Sequence, residues 1–353
     1  MYFVNEDVKN CIRIFPEQGR YDYHRYDMNE NPEGLPKEFV ASVLEEITPE
    51  FLAIYPEPDR FLNKYAKYIG AHYENVLTTN GSDMAIRYLL EVFCEKGKEV
   101  LTVTPSFEMY AVNCSILGLK HRAVSYEDDL SIDVNSILAE ISDKTDIVVL
   151  LNPNNPIGNV YTQEELERIV DKAEQHGAIV IIDEAYHYFY KETFLSYALN
   201  RNNVVVLRTF SKLFSLAACR LGIIISNPEI IGYVKKSRLT FEVNSIALLF
   251  AERLMDHPEV IESLIKTADE GKKYAIDMLQ GAGYEVRDCR GNFIFVRPNT
   301  SPKNLEQQLK ETDKILIKTY GNDLLKDYIR VSTGSKEAMR FFVERFLAAD
   351  TKE

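Results

Sequence analysis

Paired cysteines, clustered histidines and long apolar runs are what this chain of 353 residues lacks. Its five cysteines (Cys11, Cys94, Cys114, Cys219, Cys289) are odd in number and scattered, with no Cys-x-x-Cys pair. That argues against a disulfide framework and a thiolate metal site, and suits free thiols in a reducing cytoplasm. The six histidines form no His-Glu-x-x-His or related cluster, so no metal is expected. The apolar runs Ile147 to Leu151 and Gly222 to Ile225 are strand-sized, far too short to span a bilayer. Met1 to Asp7 lack the basic start and continuous apolar stretch of a secretory leader. Positive charge is also scarce, 41 Lys and Arg against 54 Asp and Glu, a net −13. Nucleic acid and an anionic membrane surface are therefore not expected as partners, while a local basic pocket for a small anion remains open.

What is present reads as an ordinary globular chain, 46% hydrophobic and 27% charged, with length for about two domains. No internal repeat, low-complexity segment or flexible linker is evident. The opening, through about Pro49, reads as irregular and aromatic, with a short helix from Phe39 to Ile47. Apolar runs then alternate with helical periodicity: Val76–Thr79, Val100–Val103, Ile147–Leu151, Ala178–Ile182 and Val204–Leu207 read as strands. Thr162 and Glu165 form a capping box for a helix that buries Leu166, Ile169, Val170 and Ala173 and stops at Gly177. Such alternation implies an α/β fold, a mainly parallel sheet covered by helices on both faces. After about Asn244 helices dominate, notably Ile246–Met255 and Val260–Leu279. Short strands follow at 292–296, 315–317 and 328–331, then a final helix with Met339, Phe342, Val343 and Phe346 inward.

In open α/β sheets ligands bind beyond the carboxyl ends of the strands, and the polar residues of this chain gather there. Past Val204–Leu207 come Thr209, Ser211, Lys212 and Arg220, two hydroxyls and two cations suited to a phosphate, with an amine able to condense with an aldehyde. Gly81-Ser82-Asp83 follows another strand and opens a helix, either as a phosphate-shaped turn or as an ordinary cap made by Ser82 or Asp83. Tyr110 could lie against a planar ligand or simply pack. Asn155 stands in the rigid turn Asn152 to Gly158. Asp183 and Tyr186 are delivered by a fully apolar strand, where an acid is costly unless partnered or functional. Arg330 inside an apolar strand calls for an anionic ligand or a structural carboxylate.

Taken together these residues resemble a fold-type I pyridoxal-phosphate (PLP) aminotransferase, most closely the histidinol-phosphate aminotransferase branch. The pieces are Asn29-Glu30-Asn31-Pro32, Tyr55-Pro56, Gly81-Ser82-Asp83, Pro105 to Tyr110, Asn152 to Gly158, Asp183-Glu184-Ala185-Tyr186, Thr209-x-Ser211-Lys212 with Arg220, and Arg330 with Gly334. The resemblance implies a large PLP-binding domain over 50–245 and a smaller α+β domain over 246–353. Residues 1–49 would form an N-terminal arm and part of the small domain. It implies that Lys212 forms a Schiff base with PLP and then moves the proton, and that Asp183 pairs with the pyridine nitrogen. Tyr186 and Asn155 would hold the 3′ oxygen, and Tyr110 would stack on the ring. Gly81, Ser82, Thr209, Ser211 and Arg220 would surround the phosphate, with Asp83 orienting them, and Tyr55 would reach a partner subunit's phosphate in a homodimer with shared active sites. Arg330, with Lys318 and Asn155, would bind the substrate's far anionic group.

The activity that the resemblance implies is transfer of an amino group, with glutamate as donor, to a small keto or aldehyde acceptor that bears a phosphate or carboxylate. The chain departs from the family pattern at Lys318, where an arginine is usual. It also departs at Phe15-Pro16-Glu17 in place of a Pro-Tyr opening, at Met84 where an acid is common, and at Glu242 where an asparagine is more usual. These departures bear on the substrate and leave its identity open. Three other readings stand beside this one: decarboxylation of an O-phospho amino acid on the same scaffold, a non-catalytic PLP-binding regulatory protein, and a nicotinamide dehydrogenase. The last would need a glycine fingerprint, and Gly281-Ala282-Gly283 has Val286 where the third glycine belongs.

Overall fold

The computed structural model describes residues 2–13, 15 and 18–350. Among these residues there are thirteen strands: β1 (His24–Arg25), β2 (Val76–Asn80), β3 (Glu99–Thr104), β4 (Lys120–Ser125), β5 (Thr145–Leu151), β6 (Ile179–Asp183), β7 (Val204–Thr209), β8 (Leu221–Ser226), β9 (Glu285–Asp288), β10 (Phe293–Arg297), β11 (Ile315–Leu316), β12 (Lys318–Thr319) and β13 (Ile329–Ser332). Seven of them form one sheet in the order β2-β8-β7-β6-β5-β3-β4. Every pairing in it is parallel except those of β8, which runs against both neighbours. Because β8 is reversed, its beginning lies at the edge where the other strands end. Arg220 and Gly222 are thereby brought beside Thr79 and Thr209.

The side-chain period of two sorts the strand residues between two apolar layers. Val148, Leu150, Val180, Ile182, Val204 and Val206 enter one core, and Ile147, Val149, Leu151, Ile181, Val205 and Leu207 enter the other. Both faces are covered, so these strands are apolar throughout. The capping box forms as the sequence reads: Thr162 Oγ1 accepts from the Glu165 N–H at 3.2 Å, and Glu165 Oε2 accepts from the Thr162 N–H at 2.8 Å. β4 carries no apolar signal because it is an exposed edge strand of Lys120, His121 and Arg122, a composition that discourages pairing with another chain.

A second sheet, β12-β13-β10-β9, is antiparallel. Ile294, Val296, Ile329 and Val331 point into a separate core with Ala275, Leu279, Phe342 and Phe346. Phe293 and Phe295 point the other way and join the core of the large sheet. The run Ile315-Leu316-Ile317 is not one strand. Its first two residues pair in parallel with β1, and the chain changes sheets before Lys318 pairs with Arg330. The helix Pro258–Gly281 serves both cores, burying Ile261 and Leu264 in one and Ala275 and Leu279 in the other. Gly281-Ala282 ends that helix, so the fragment opens no dinucleotide turn. Among the described residues no helix is long and apolar enough to cross a membrane. The five cysteines are unpaired.

Candidate active site

Lys212 lies just beyond β7, partly buried, and its Nζ donates to the Met28 carbonyl at 2.9 Å. Its ammonium is 5.9 Å from the centre of the Tyr186 ring. Burial, together with the positive charge of Arg330, lowers the Lys212 pKa to about 8, with Glu30 and Asp83 opposing the shift. The amine is therefore neutral in a useful fraction near neutral pH, which a solvated lysine is not.

Asp183 ends β6 and is 3% exposed. Its Oδ2 accepts from the Tyr110 hydroxyl at 2.9 Å and its Oδ1 from the Ala185 N–H at 3.1 Å. Burial raises its pKa to about 6, against the lowering effect of those two hydrogen bonds. The adjacent acid has a different role. Glu184 sits on the opposite side of the strand, where its Oε2 accepts from Arg208 Nη2 at 2.9 Å and its Oε1 from the Phe194 N–H at 2.6 Å. So Glu184 and Arg208 form a buried structural pair, while Asp183 has no cationic partner among the described residues.

Tyr110 is thus both packed and engaged, with its hydroxyl on Asp183. The Tyr186 hydroxyl accepts from Asn29 Nδ2 at 2.9 Å, and burial pushes its pKa up to about 12. Of the three asparagines in the turn, two hold the turn itself. Asn152 Oδ1 accepts from the Tyr161 N–H at 3.0 Å, and Asn154 Nδ2 donates to the Tyr126 hydroxyl at 2.9 Å. Asn155 faces the site, where its Oδ1 accepts from Arg330 Nη1 at 2.6 Å.

The helix Gly81–Phe93 starts with no side-chain cap, so neither Ser82 nor Asp83 closes it and its first N–H groups are left for another acceptor. Asp83 instead accepts from Arg220 Nη2 at 2.9 Å. Arg220 has a left-handed backbone (φ 55) and folds its guanidinium over Gly81. A Cβ on Gly81 would lie 2.5 Å from Arg220 Nη2, and one on Gly222 would lie 2.5 Å from the Ser82 nitrogen. Backbone blocks any side chain at Gly222, and a φ of 73 strains one at Gly81. Thr209 Oγ1 accepts from the Ser211 N–H at 3.1 Å, beside the same helix start. Glu242 Oε1 accepts from the Asn80 N–H at 2.8 Å, a carboxylate against the residue that opens the helix.

Arg330 is 7% exposed. It lies on β13 between Ile329 and Val331, whose side chains enter the small core, so its own side chain turns towards the large sheet with Phe295, its partner in the ladder. Nη2 donates to the Asp27 carbonyl at 2.5 Å, and Nη1 to Asn155. Both acceptors are neutral. Among the described residues no carboxylate forms an ion pair with it, so the structural salt bridge is absent and the charge is left for a ligand. Lys318 stands directly across the ladder from Arg330 and is exposed. Like charges so placed repel unless an anion lies between them.

Tyr55 stands apart from these residues within its own chain. It is 72% exposed and stacks on Phe241, with ring centres 4.3 Å apart. Pro16 and Glu17 of the altered opening lie outside the described residues. Three residues with no role assigned from sequence also enter the site. Asn29 (φ 55) receives a hydrogen bond on its carbonyl from Asn292 Nδ2 at 2.9 Å, and its N–H donates to Ser332 Oγ at 2.7 Å. An asparagine beside a Pro-Gly-rich turn, tolerant of left-handed backbone, was the available signal for it. Ser332 and Asn292 carried none.

The sequence profile of the family described as aminotransferase class I and II matches residues 26–346. The chain is 30% identical over 336 residues to the histidinol-phosphate aminotransferase of Clostridium novyi, covering 94% of this chain and 93% of that one. It is 30% identical over 331 residues to that of Thermotoga maritima, covering 92% and 93%. In three dimensions it resembles the crystal structure of histidinol-phosphate aminotransferase from Sinorhizobium meliloti in complex with pyridoxal-5′-phosphate. That match has a TM-score of 0.88 at 19% identity, over 98% of this chain and 97% of that one. The chain therefore belongs to the class I and II aminotransferases and is a PLP-dependent transaminase of the histidinol-phosphate aminotransferase type.

Proposed function

We propose that this enzyme takes the amino group of glutamate and delivers it to a small keto or aldehyde substrate bearing a phosphate or a carboxylate. The observation that carries this reading is Arg330, a buried guanidinium held only by neutral acceptors, with Lys318 across the ladder. A planar fork suits either anion in two-point contact. The uncapped helix start with its two glycines, the amine of Lys212, and Asp183, which has no cationic partner among the described residues, fit the phosphate, aldehyde and pyridine nitrogen of PLP respectively.

When bound, PLP supplies an electron sink that makes the proton on the substrate's α-carbon removable. Lys212 holds the cofactor through its Nζ and afterwards moves that proton. Asp183 keeps a proton on the pyridine nitrogen, a task for which its lack of any cationic partner leaves it free. Tyr110 lies against the ring while its hydroxyl steadies Asp183. Tyr186 and Asn155 hold the ring oxygen. Since Asn155 gives its oxygen to Arg330, its Nδ2 is the atom that remains to donate. Gly81, Ser82, Thr209, Ser211 and Arg220 take the phosphate, with Asp83 orienting Arg220.

Tyr55 of the partner subunit completes the phosphate site in a homodimer. Phe241, stacked on Tyr55, and Ile54 beside it in the chain are both exposed and support such an apolar interface. On this reading the division at 245/246 puts Lys212 in a large domain and Arg330 in a small one, with substrate between them. The composition suits a cytoplasmic enzyme. A panel of amino donors tests the reading: glutamate alone, by its conversion of enzyme-bound PLP to the amine form, and histidinol phosphate and O-phosphoserine, each with 2-oxoglutarate as acceptor. Transfer of the amino group from at least one anionic donor is expected. Release of carbon dioxide without transfer would replace the proposal with decarboxylation.

A further inference from the structure

Three consecutive residues, Asp27 to Asn29, hydrogen-bond the principal groups of the site in turn, and Glu30 follows them. The Asp27 carbonyl accepts from Arg330 at 2.5 Å, the Met28 carbonyl from Lys212 at 2.9 Å, and the Asn29 amide donates to the Tyr186 hydroxyl at 2.9 Å. Glu30 is near enough to Lys212 for their charges to interact. This turn has left-handed backbone at Asn29, a conformation that a non-glycine residue holds only when its surroundings enforce it.

Arg20 supplies that enforcement from outside the turn. It follows Gly19, whose φ of 84 admits the sharp reversal before it. Its Nε and Nη2 donate to the two oxygens of Asp27 at 3.2 and 2.7 Å, and its Nη1 and Nη2 to the two oxygens of Glu30 at 3.2 and 2.8 Å. The three side chains are largely shielded, at 20%, 12% and 27% exposure. Arg25 adds a longer contact to Glu30 at 3.6 Å. One guanidinium therefore spans the turn and ties its two ends together, which only a planar fork can do.

We propose that Arg20 is a positioning residue for substrate binding: by bridging Asp27 and Glu30 it holds the turn that presents the Asp27 carbonyl to Arg330. The inference rests on the reading of Arg330 as the anion anchor. Arg20 itself touches neither Lys212 nor Arg330.

The test compares succinate and PLP affinities of the full chain, by calorimetry, for the wild type, Arg20→Gln and Arg20→Lys, together with KM for glutamate. In Arg20→Gln succinate affinity falls about tenfold and KM rises in step, the scale of one misaligned charged hydrogen bond, while PLP affinity stays within about threefold. A general loss of structure would weaken both ligands alike. Arg20→Lys keeps the charge but not the fork, and does not rescue succinate binding. Unchanged succinate affinity in Arg20→Gln, or equal loss of both ligands, overturns the proposal. If Arg20→Gln fails to fold, Arg20→Lys decides it by the same two measurements. Wild-type protein that binds no succinate removes the anchor and the proposal with it. Arg20-dependent succinate binding in a chain that takes up no PLP would instead refute the cofactor roles assigned above and leave the inference standing.

Discussion

The Arg330 guanidinium donates to the Asn155 side-chain oxygen at 2.6 Å, so a residue of the small sheet fixes which way an amide at the large sheet's edge faces. Removing Arg330 takes away the anion anchor and frees that amide together. Arg330→Ala is expected to raise KM for glutamate by roughly 50-fold or more, about 2–3 kcal/mol for a lost charged hydrogen-bond pair, and PLP affinity far less. Steady-state kinetics beside a PLP titration checks this, and equal losses would show that Arg330 is misplaced in the account. Arg330→Lys should recover little, because an ammonium cannot reproduce the fork.

Lys212→Ala should lower turnover by at least about 10⁴-fold, the upper range for one proton-moving group, while circular dichroism stays unchanged. In the wild type the rate of PLP uptake should rise with pH through about 8 and then level. Below that value the buried amine carries a proton and cannot attack. A rate that climbs steadily to pH 10 would mean the lysine titrates as a solvated one.

Asp183→Asn should abolish activity yet stabilise the chain without cofactor. The native carboxyl titrates near 6, above its ordinary 3.8. Its contribution to stability is therefore greatest below 3.8 and is lost as pH rises through 6. At pH 7.5 the charged, buried form costs up to about 3 kcal/mol, which the amide removes. Urea melts of both proteins at pH 7.5 and pH 4 measure it. The difference should be present at the higher pH and shrink at the lower one.

Gly222→Ala places a Cβ 2.5 Å from the backbone of Gly81 and Ser82, where nothing flexible can yield. We expect a loss of about 1–3 kcal/mol of stability and weaker PLP binding, because the helix start is pushed off the strand. The same change at Gly283, whose Cβ would meet nothing within 4 Å, should leave PLP binding unaffected.

Much of the scaffold was legible because its strands are apolar throughout, as at Val204–Leu207 and Ile147–Leu151, and because Thr162 and Glu165 mark a helix start by type and spacing. β4 was not, since an exposed edge strand has no apolar period. Nor was the split at Ile317, which depends on two different sheets competing for adjacent residues. At the site, Lys212, Asp183 and Arg330 stood out because charge at the end of, or within, an apolar strand is costly. The choice of Asp183 over Glu184 as the facing acid is fixed by strand alternation and by Arg208, a partner 24 residues away. Residues 29 and 30 carry part of the family resemblance, but the contacts made by residues 27–30 were not legible. Three of the four are made by backbone carbonyls or by a left-handed asparagine, which look alike in any sequence.

On the proposed reading the Lys212 amine carries PLP and uses it for amino transfer. The most direct measurement is the visible absorption spectrum of the purified protein with PLP at pH 8, before and after adding glutamate, with Lys212→Ala alongside. A lysine-bound cofactor band is expected in the wild type, none in the variant, and conversion of that band to the amine form of the cofactor by an amino donor. A folded wild-type protein that shows no such band with excess PLP would contradict that reading.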